Sequence, residues 1–232
     1  MTIRRRPALV LLGAGCLAGV LLLGVAVGDG GTAFDRALMP TRLCAGETAG
    51  TVCENLATEG GWPFPVYATA LAPLLVAGLL LLGRLRRPGG HLDASGWLWS
   101  LAAVAALPAQ HLLSTVFDRV GPWHQGHVDL DDGAYPSGAA ALVAVAWGIG
   151  GVVVWRLRPR WWPGVVVLAA VVLAAHAVTR AAALKHWPTD IGGSYLLVGG
   201  LLLLAAALAP TDPSRSAGGV AVSLRAGEGR GR

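Results

Sequence analysis

Long apolar runs separated by short polar interruptions set the rhythm of this chain. The runs are too continuous to be the one-sided stripe of a surface helix. They fall near 8–28, 66–83, 95–117, 136–155, 164–184 and 191–209, and each is about long enough to cross a hydrocarbon core of roughly 30 Å. The pattern predicts an all-α membrane protein, a six-transmembrane helical bundle. Pro108, Gln110 and His111 make the third run the least clean. Residues 1–65 read as one membrane helix followed by a polar loop, 66–209 as a five-helix core, and 210–232 as a disordered cytoplasmic tail rich in Pro, Ser, Gly and Arg.

Basic residues orient the bundle. Arg4, Arg5 and Arg6 precede the first run, Arg84, Arg86 and Arg87 follow the second, and Arg156, Arg158 and Arg160 follow the fourth. Arg215, Arg225, Arg230 and Arg232 lie in the tail. With six spans all four groups fall on one side, which the positive-inside rule makes cytoplasmic. Both termini are then inside, and 29–65, 118–135 and 185–190 face outward from the cell membrane. The first run also has the basic start and apolar core of a signal peptide, an alternative that leaves the later topology unchanged.

Composition adds the setting. Of 232 residues, 54% are hydrophobic and 13% charged, and the mean hydropathy is +0.59, values of a membrane protein. The net charge of +5 reflects arginines facing anionic lipid headgroups, so membrane lipids are the expected partners and nucleic acid is not. Nothing signals an oligomeric state. Cys16 lies within the first span as a small apolar residue, whereas Cys44 and Cys53 share the outward loop, where an oxidising compartment favours a local disulfide. Trp62, Trp97, Trp99, Trp123, Trp155, Trp161, Trp162 and Trp187 cluster at span ends as an interfacial belt would. There is no Walker loop, GxGxxG or paired CxxC motif.

The chemistry sits on the outward side. Thr179-Arg180-Ala181-Ala182-Ala183-Leu184-Lys185-His186-Trp187-Pro188-Thr189-Asp190 gathers titratable groups where a helix meets water, and such groups are costly there unless they serve a function. Arg can grip a phosphate, His can attack phosphorus or carry a proton, and Asp can orient that His. The preceding outward loop ends in Tyr135-Pro136-Ser137-Gly138-Ala139. Pro136 suits the first helical position, and Ser137 and Gly138 would then offer backbone N–H groups at the positive end of a helix dipole. His176, one turn before Arg180, reads as a satisfied bundle histidine, and His111 likewise. The stretch His124-Gln125-Gly126-His127-Val128-Asp129 has metal-type donors, but a solvated loop is the plainer reading, and no metal is expected.

Arg180, five residues, His186, three residues and Asp190 resemble the third motif of the type-2 phosphatidic acid phosphatase and vanadium haloperoxidase superfamily. Tyr135-Pro136-Ser137-Gly138 resembles its second motif, Pro-Ser-Gly-His. Motif order and span number match as well, so the resemblance covers most of 66–209. It implies a phosphohistidine at His186, with Asp190 holding the other ring nitrogen. Arg180, Lys185 and the N–H groups of Ser137 and Gly138 would bind phosphate.

The departures are equally specific. Ala139 stands where the second motif has its proton-donating His. Laying Pro122 on the first motif's Pro puts Ser114 at its Lys and Gly121 at its Arg, leaving Arg119 as the basic residue of that stretch and the one the resemblance would assign to phosphate binding there. A missing proton donor slows such chemistry by about 10²–10⁴-fold, unless His124 or His127 replaces it or the leaving group needs no proton, as with a prenyl diphosphate. The resemblance therefore implies a membrane lipid phosphatase or prenyl diphosphate phosphatase acting on a phosphorylated lipid at the outer face. The alternative is an inactive relative that binds phosphate or lipid. A transporter is disfavoured, because no polar stripe runs through the spans. No cofactor is implied, and the depleted site gives no reason to expect vanadate-dependent oxidation.

Overall fold

A computed structural model describes residues 6–28, 31–39, 63–85, 94–122, 133–182 and 186–208, and every regular element among them is helical. Helix α1 spans Pro7–Val27, the short α2 Ala33–Leu38, α3 Pro63–Leu85, α4 Ala94–Phe117, α5 Gly138–Leu157, α6 Trp162–Ala182 and α7 Pro188–Leu208. A 3₁₀ turn, Pro159–Trp161, joins α5 to α6. Five of these helices are long and apolar enough to cross a membrane, and α3 carries a shorter apolar stretch, Ala68–Arg84. Five clear spans plus α3 is thus the structural count, against the six read from the sequence. Leu11, Leu22, Val25, Leu79, Val167 and Val178 point outward from the bundle, as side chains solvated by lipid should.

Helix α5 is the hub, packing against α3, α4, α6 and α7. Its buried face is built from Ala140, Ala141, Val143, Ala144, Ala146, Gly150 and Gly151, small residues that let neighbouring helices approach. Helix α1 lies along α7. A Cβ added at Gly13 would come within 2.9 Å of the Gly200 carbonyl, and one at Gly200 within 3.1 Å of the Gly13 carbonyl, so the two backbones touch. Tyr135 donates its hydroxyl to the Val20 carbonyl and packs edge-on against Phe117, ring centroids 5.5 Å apart. Helix α1 is therefore part of the core.

Two helix starts differ from expectation in an instructive way. Pro136 does not open α5: it precedes the cap, after a cis Tyr135–Pro136 bond, and Ser137 is the N-cap, accepting from the Ala140 N–H. Helix α4 runs unbroken through Pro108 and ends at Asp118, whose φ of 39° turns the chain left-handed. Asp tolerates that region better than most residues.

The two ends of the bundle differ in chemistry. At one end Trp99 stacks on Trp155 and Trp155 on Trp162, at 5.5 and 6.4 Å between centroids. Arg156 lies over the Trp155 ring, and Arg84 and Arg158 line one small cavity there. Two of the arginine clusters thus meet. The other end holds the candidate site.

Candidate active site

The site end is held by a buried charge network. The Arg119 guanidinium donates through Nη1 to Asp190 Oδ1 and to Thr189 Oγ1 (2.7 Å), and through Nη2 to Asp35 Oδ2 (2.9 Å). Thr189 donates its own N–H and its hydroxyl to Asp35, both at 2.9 Å. Arg119, Asp35 and Asp190 are between 0% and 2% exposed. A charge is tolerated at such depth only when paired and hydrogen-bonded, and here one guanidinium answers two carboxylates. Trp187 roofs the cluster, with Arg119 Cζ 5.7 Å from its ring centroid and its Nε1–H donating to the Val120 carbonyl at 3.0 Å.

Asp35 enters from α2. Its helix opens with a full capping box: Thr32 accepts from the Asp35 N–H, and the Asp35 carboxylate accepts from the Thr32 N–H. Burial would raise its pKa, but the N–H groups of Thr32 and Thr189 and the side chains of Arg119 and Thr189 hold it below the ordinary 3.8. Asp35 was not among the residues singled out by sequence. The Thr32-Ala33-Phe34-Asp35 box was the available signal, and it marks a helix start without revealing the ion pair.

This arrangement revises the role expected of Arg119. It backs Asp190 from within the protein, in place of facing a phosphate. Asp190 is likewise taken: besides Arg119 it accepts the Trp187 N–H at 2.8 Å, closing the N-terminus of α7. Its Oδ2 lies 3.8 Å from His186 Nδ1, beyond hydrogen-bond range. The ring is oriented instead by the Ala134 carbonyl, 3.2 Å from Nδ1. A carbonyl only accepts, so Nδ1 carries a proton, and in the neutral ring the lone pair is then on Nε2. The His186 side chain is 16% exposed, sheltered but reachable.

Ser137 also differs from expectation. Its N–H donates to the Asp190 carbonyl at 3.1 Å, so that group is not available to an anion. Ser194 Oγ sits against the Ser137 and Asp190 carbonyls at 2.8 and 3.0 Å, and Gln110 donates to the Pro136 carbonyl at 2.7 Å. These bonds stitch the start of α5 to the first turn of α7. Gly138 and Ala139 follow as the first residues of α5. Ser114, at the position of the first motif's Lys, is buried and donates to the His111 carbonyl.

Arg180 stands partly buried in the last turn of α6, one turn beyond His176. His176 is 7% exposed, and its Nε2 has no hydrogen-bond partner among the described residues. The expectation of a satisfied bundle histidine therefore fails at that atom. Lys185, His124, His127, Cys44 and Cys53 lie outside the described residues. A cavity of about 630 Å³ opens between α1, α2 and α7, lined by Leu23, Val27, Phe34 and Leu196; Thr189 borders it and His186 does not.

No family model and no curated protein matches the sequence. Among solved structures, the chain is similar to the first transmembrane PAP2-type phosphatidylglycerolphosphate phosphatase from Bacillus subtilis, with a TM-score of 0.59. The chain has the PAP2 fold. The match spans 84% of this chain and 94% of that one at 16% identity, so it rests on backbone path and helix order. The PAP2 fold is also what the motif order in the sequence implied.

Proposed function

We propose that this protein is a membrane phosphatase that removes phosphate from a phosphorylated lipid through a phosphohistidine at His186. The observation that carries the reading is the state of that ring. Nδ1–H is committed to the Ala134 carbonyl, which leaves a nucleophilic Nε2 on a sheltered histidine. The PAP2 fold supports the same class, and the structural neighbour, a phosphatidylglycerolphosphate phosphatase, makes a phosphatidylglycerol phosphate a natural candidate beside phosphatidic acid and a prenyl diphosphate.

In the first step Nε2 attacks phosphorus, and the bond to the leaving oxygen breaks with its electron pair going to that oxygen. Water then attacks phosphorus, the P–N bond returns its pair to Nε2, and phosphate leaves. Arg180, Lys185 and the N–H groups of Gly138 and Ala139 are the groups we assign to the phosphate oxygens, where fixed positive charge offsets the charge that develops. Asp190 holds the start of α7, and with it His186, in place. The one-sided arginines support action at the outer face.

Phosphate release by the purified protein in detergent tests this, with phosphatidic acid, phosphatidylglycerol phosphate and a prenyl diphosphate as substrates. His186→Ala should lower turnover by at least about a thousandfold, the scale for losing a nucleophile. Turnover that survives this change would sink the proposal.

A further inference from the structure

We propose that His176 is the proton donor to the leaving oxygen, delivered from α6 to the place that Ala139 leaves empty on α5. The inference rests on the phosphatase reading above and adds a catalytic residue to it. Expelling a lipid alkoxide from phosphorus needs a proton, because an alkoxide is a poor leaving group. Among the described residues, the polar side chains near His186 are nearly all spent elsewhere. Arg180 does not release a proton in a protein. Asp190 is tied to Arg119 and the Trp187 N–H, Tyr135 donates to the Val20 carbonyl, Ser194 to the carbonyls beside it and Gln110 to the Pro136 carbonyl. Ser137 is fully buried and caps α5.

His176 is different in three respects. It is more than nine-tenths buried yet leaves Nε2 without a partner among the described residues, and a buried polar atom in that state calls for a ligand. It shares α6 with Arg180, which follows it by four residues and therefore lies on the same face, one turn nearer the segment that carries His186. It also lies at the right level. Val172 and Leu173 pack in one cluster with Ala139 and Leu142; His176 follows Val172 by four residues on the same antiparallel helix, one turn closer to the end where Ala139 begins α5. The methyl group of Ala139 takes little room at that level.

The proton balance closes over the cycle. A bound phosphate between Arg180 and His186 is the counter-ion for an imidazolium at His176. As the phosphorus–oxygen bond breaks, Nε2–H of His176 passes its proton to the leaving oxygen. In the second step the attacking water keeps its protons on the departing phosphate, and the neutral His176 regains its own from solvent, which restores the starting state.

The test compares a lipid phosphate monoester with p-nitrophenyl phosphate, whose leaving group needs no proton, using wild type, His176→Ala, His176→Gln and His186→Ala in detergent. His176→Ala and His176→Gln should each lose about 10²–10³-fold on phosphatidic acid and less than about threefold on the aryl phosphate, while His186→Ala loses both. Ala139→His added to His176→Ala should recover at least about tenfold on the lipid. Retained aryl turnover certifies a folded site. No loss, or an equal loss on both substrates in both His176 variants, overturns the proton-donor role while leaving the phosphatase reading standing. A wild type silent on both substrates, or turnover indifferent to His186→Ala, overturns both.

Discussion

At the scale of single residues, Arg119 decides how the site end is built. Its guanidinium touches two buried carboxylates and a threonine hydroxyl, and a planar fork is what makes two simultaneous pairings feasible. Removing it leaves Asp35 and Asp190 buried and unanswered. Arg119→Ala should therefore cost about 3–5 kcal/mol, read as a lowered midpoint of unfolding in detergent. Arg119→Lys should recover only part of this, since a point charge cannot serve both partners. Asp35 adds a pH signature. Its folded pKa lies below 3.8, so the stability it contributes is fully present above that value and is lost as pH falls through the lower folded value. The wild type should lose stability below about pH 4, and Asp35→Asn should show a shallower acid limb in the same melts.

The same residues show what the sequence could and could not convey. His186, Asp190 and Arg180 stand out because charged groups are rare in this chain and their spacing resembles a known motif. Asp35 did not stand out. Its meaning comes from Arg119, 84 positions away, and a helix cap has the same local appearance with or without such a partner. The free N–H expected at Ser137 failed for a similar reason: the Asp190 carbonyl that claims it lies beyond any local pattern. His176 was taken as satisfied because buried polar groups nearly always are.

At the scale of elements, the glycines divide by face. Gly192, Gly193, Gly199 and Gly200 look alike in the sequence of α7, but a Cβ meets nothing within 4 Å at Gly192 or Gly199. At Gly193 it would run into the Tyr135 ring, 2.6 Å away, and at Gly200 into Cys16 and the Gly13 carbonyl, both 3.1 Å away. Which member of each pair is buried depends on how α7 is rotated against α1, and nearly uniform apolar character along α7 hides that rotation. Gly200→Ala should destabilise by about 1–3 kcal/mol through overpacking. Gly199→Ala, one position away, should be neutral or stabilise by up to about 1 kcal/mol through helix propensity. Paired thermal melts in detergent would separate the two.

At the scale of the whole molecule, the hydrophobic pattern carried most of the fold: helix bounds shift by a few residues, and five of the six runs stand as helices of spanning length. The hub role of α5 was less visible, because membrane helices that face lipid and those that face protein are similarly apolar. One consequence follows from the charge network when the chain is considered as something made in order, from one end to the other. Its members sit at 35, 119 and 189–190, and the Thr189–Asp35 bond bridges 154 positions. While the chain is still growing, Arg119 can find only Asp35. Asp190, the Trp187 roof and His186 all arrive with the final helix, and the same arrival brings Gly200 against Gly13. A nascent chain short of α7 therefore lacks Thr189 and Asp190, the second half of the network that holds Arg119, and formation of that helix is the event that closes the lock.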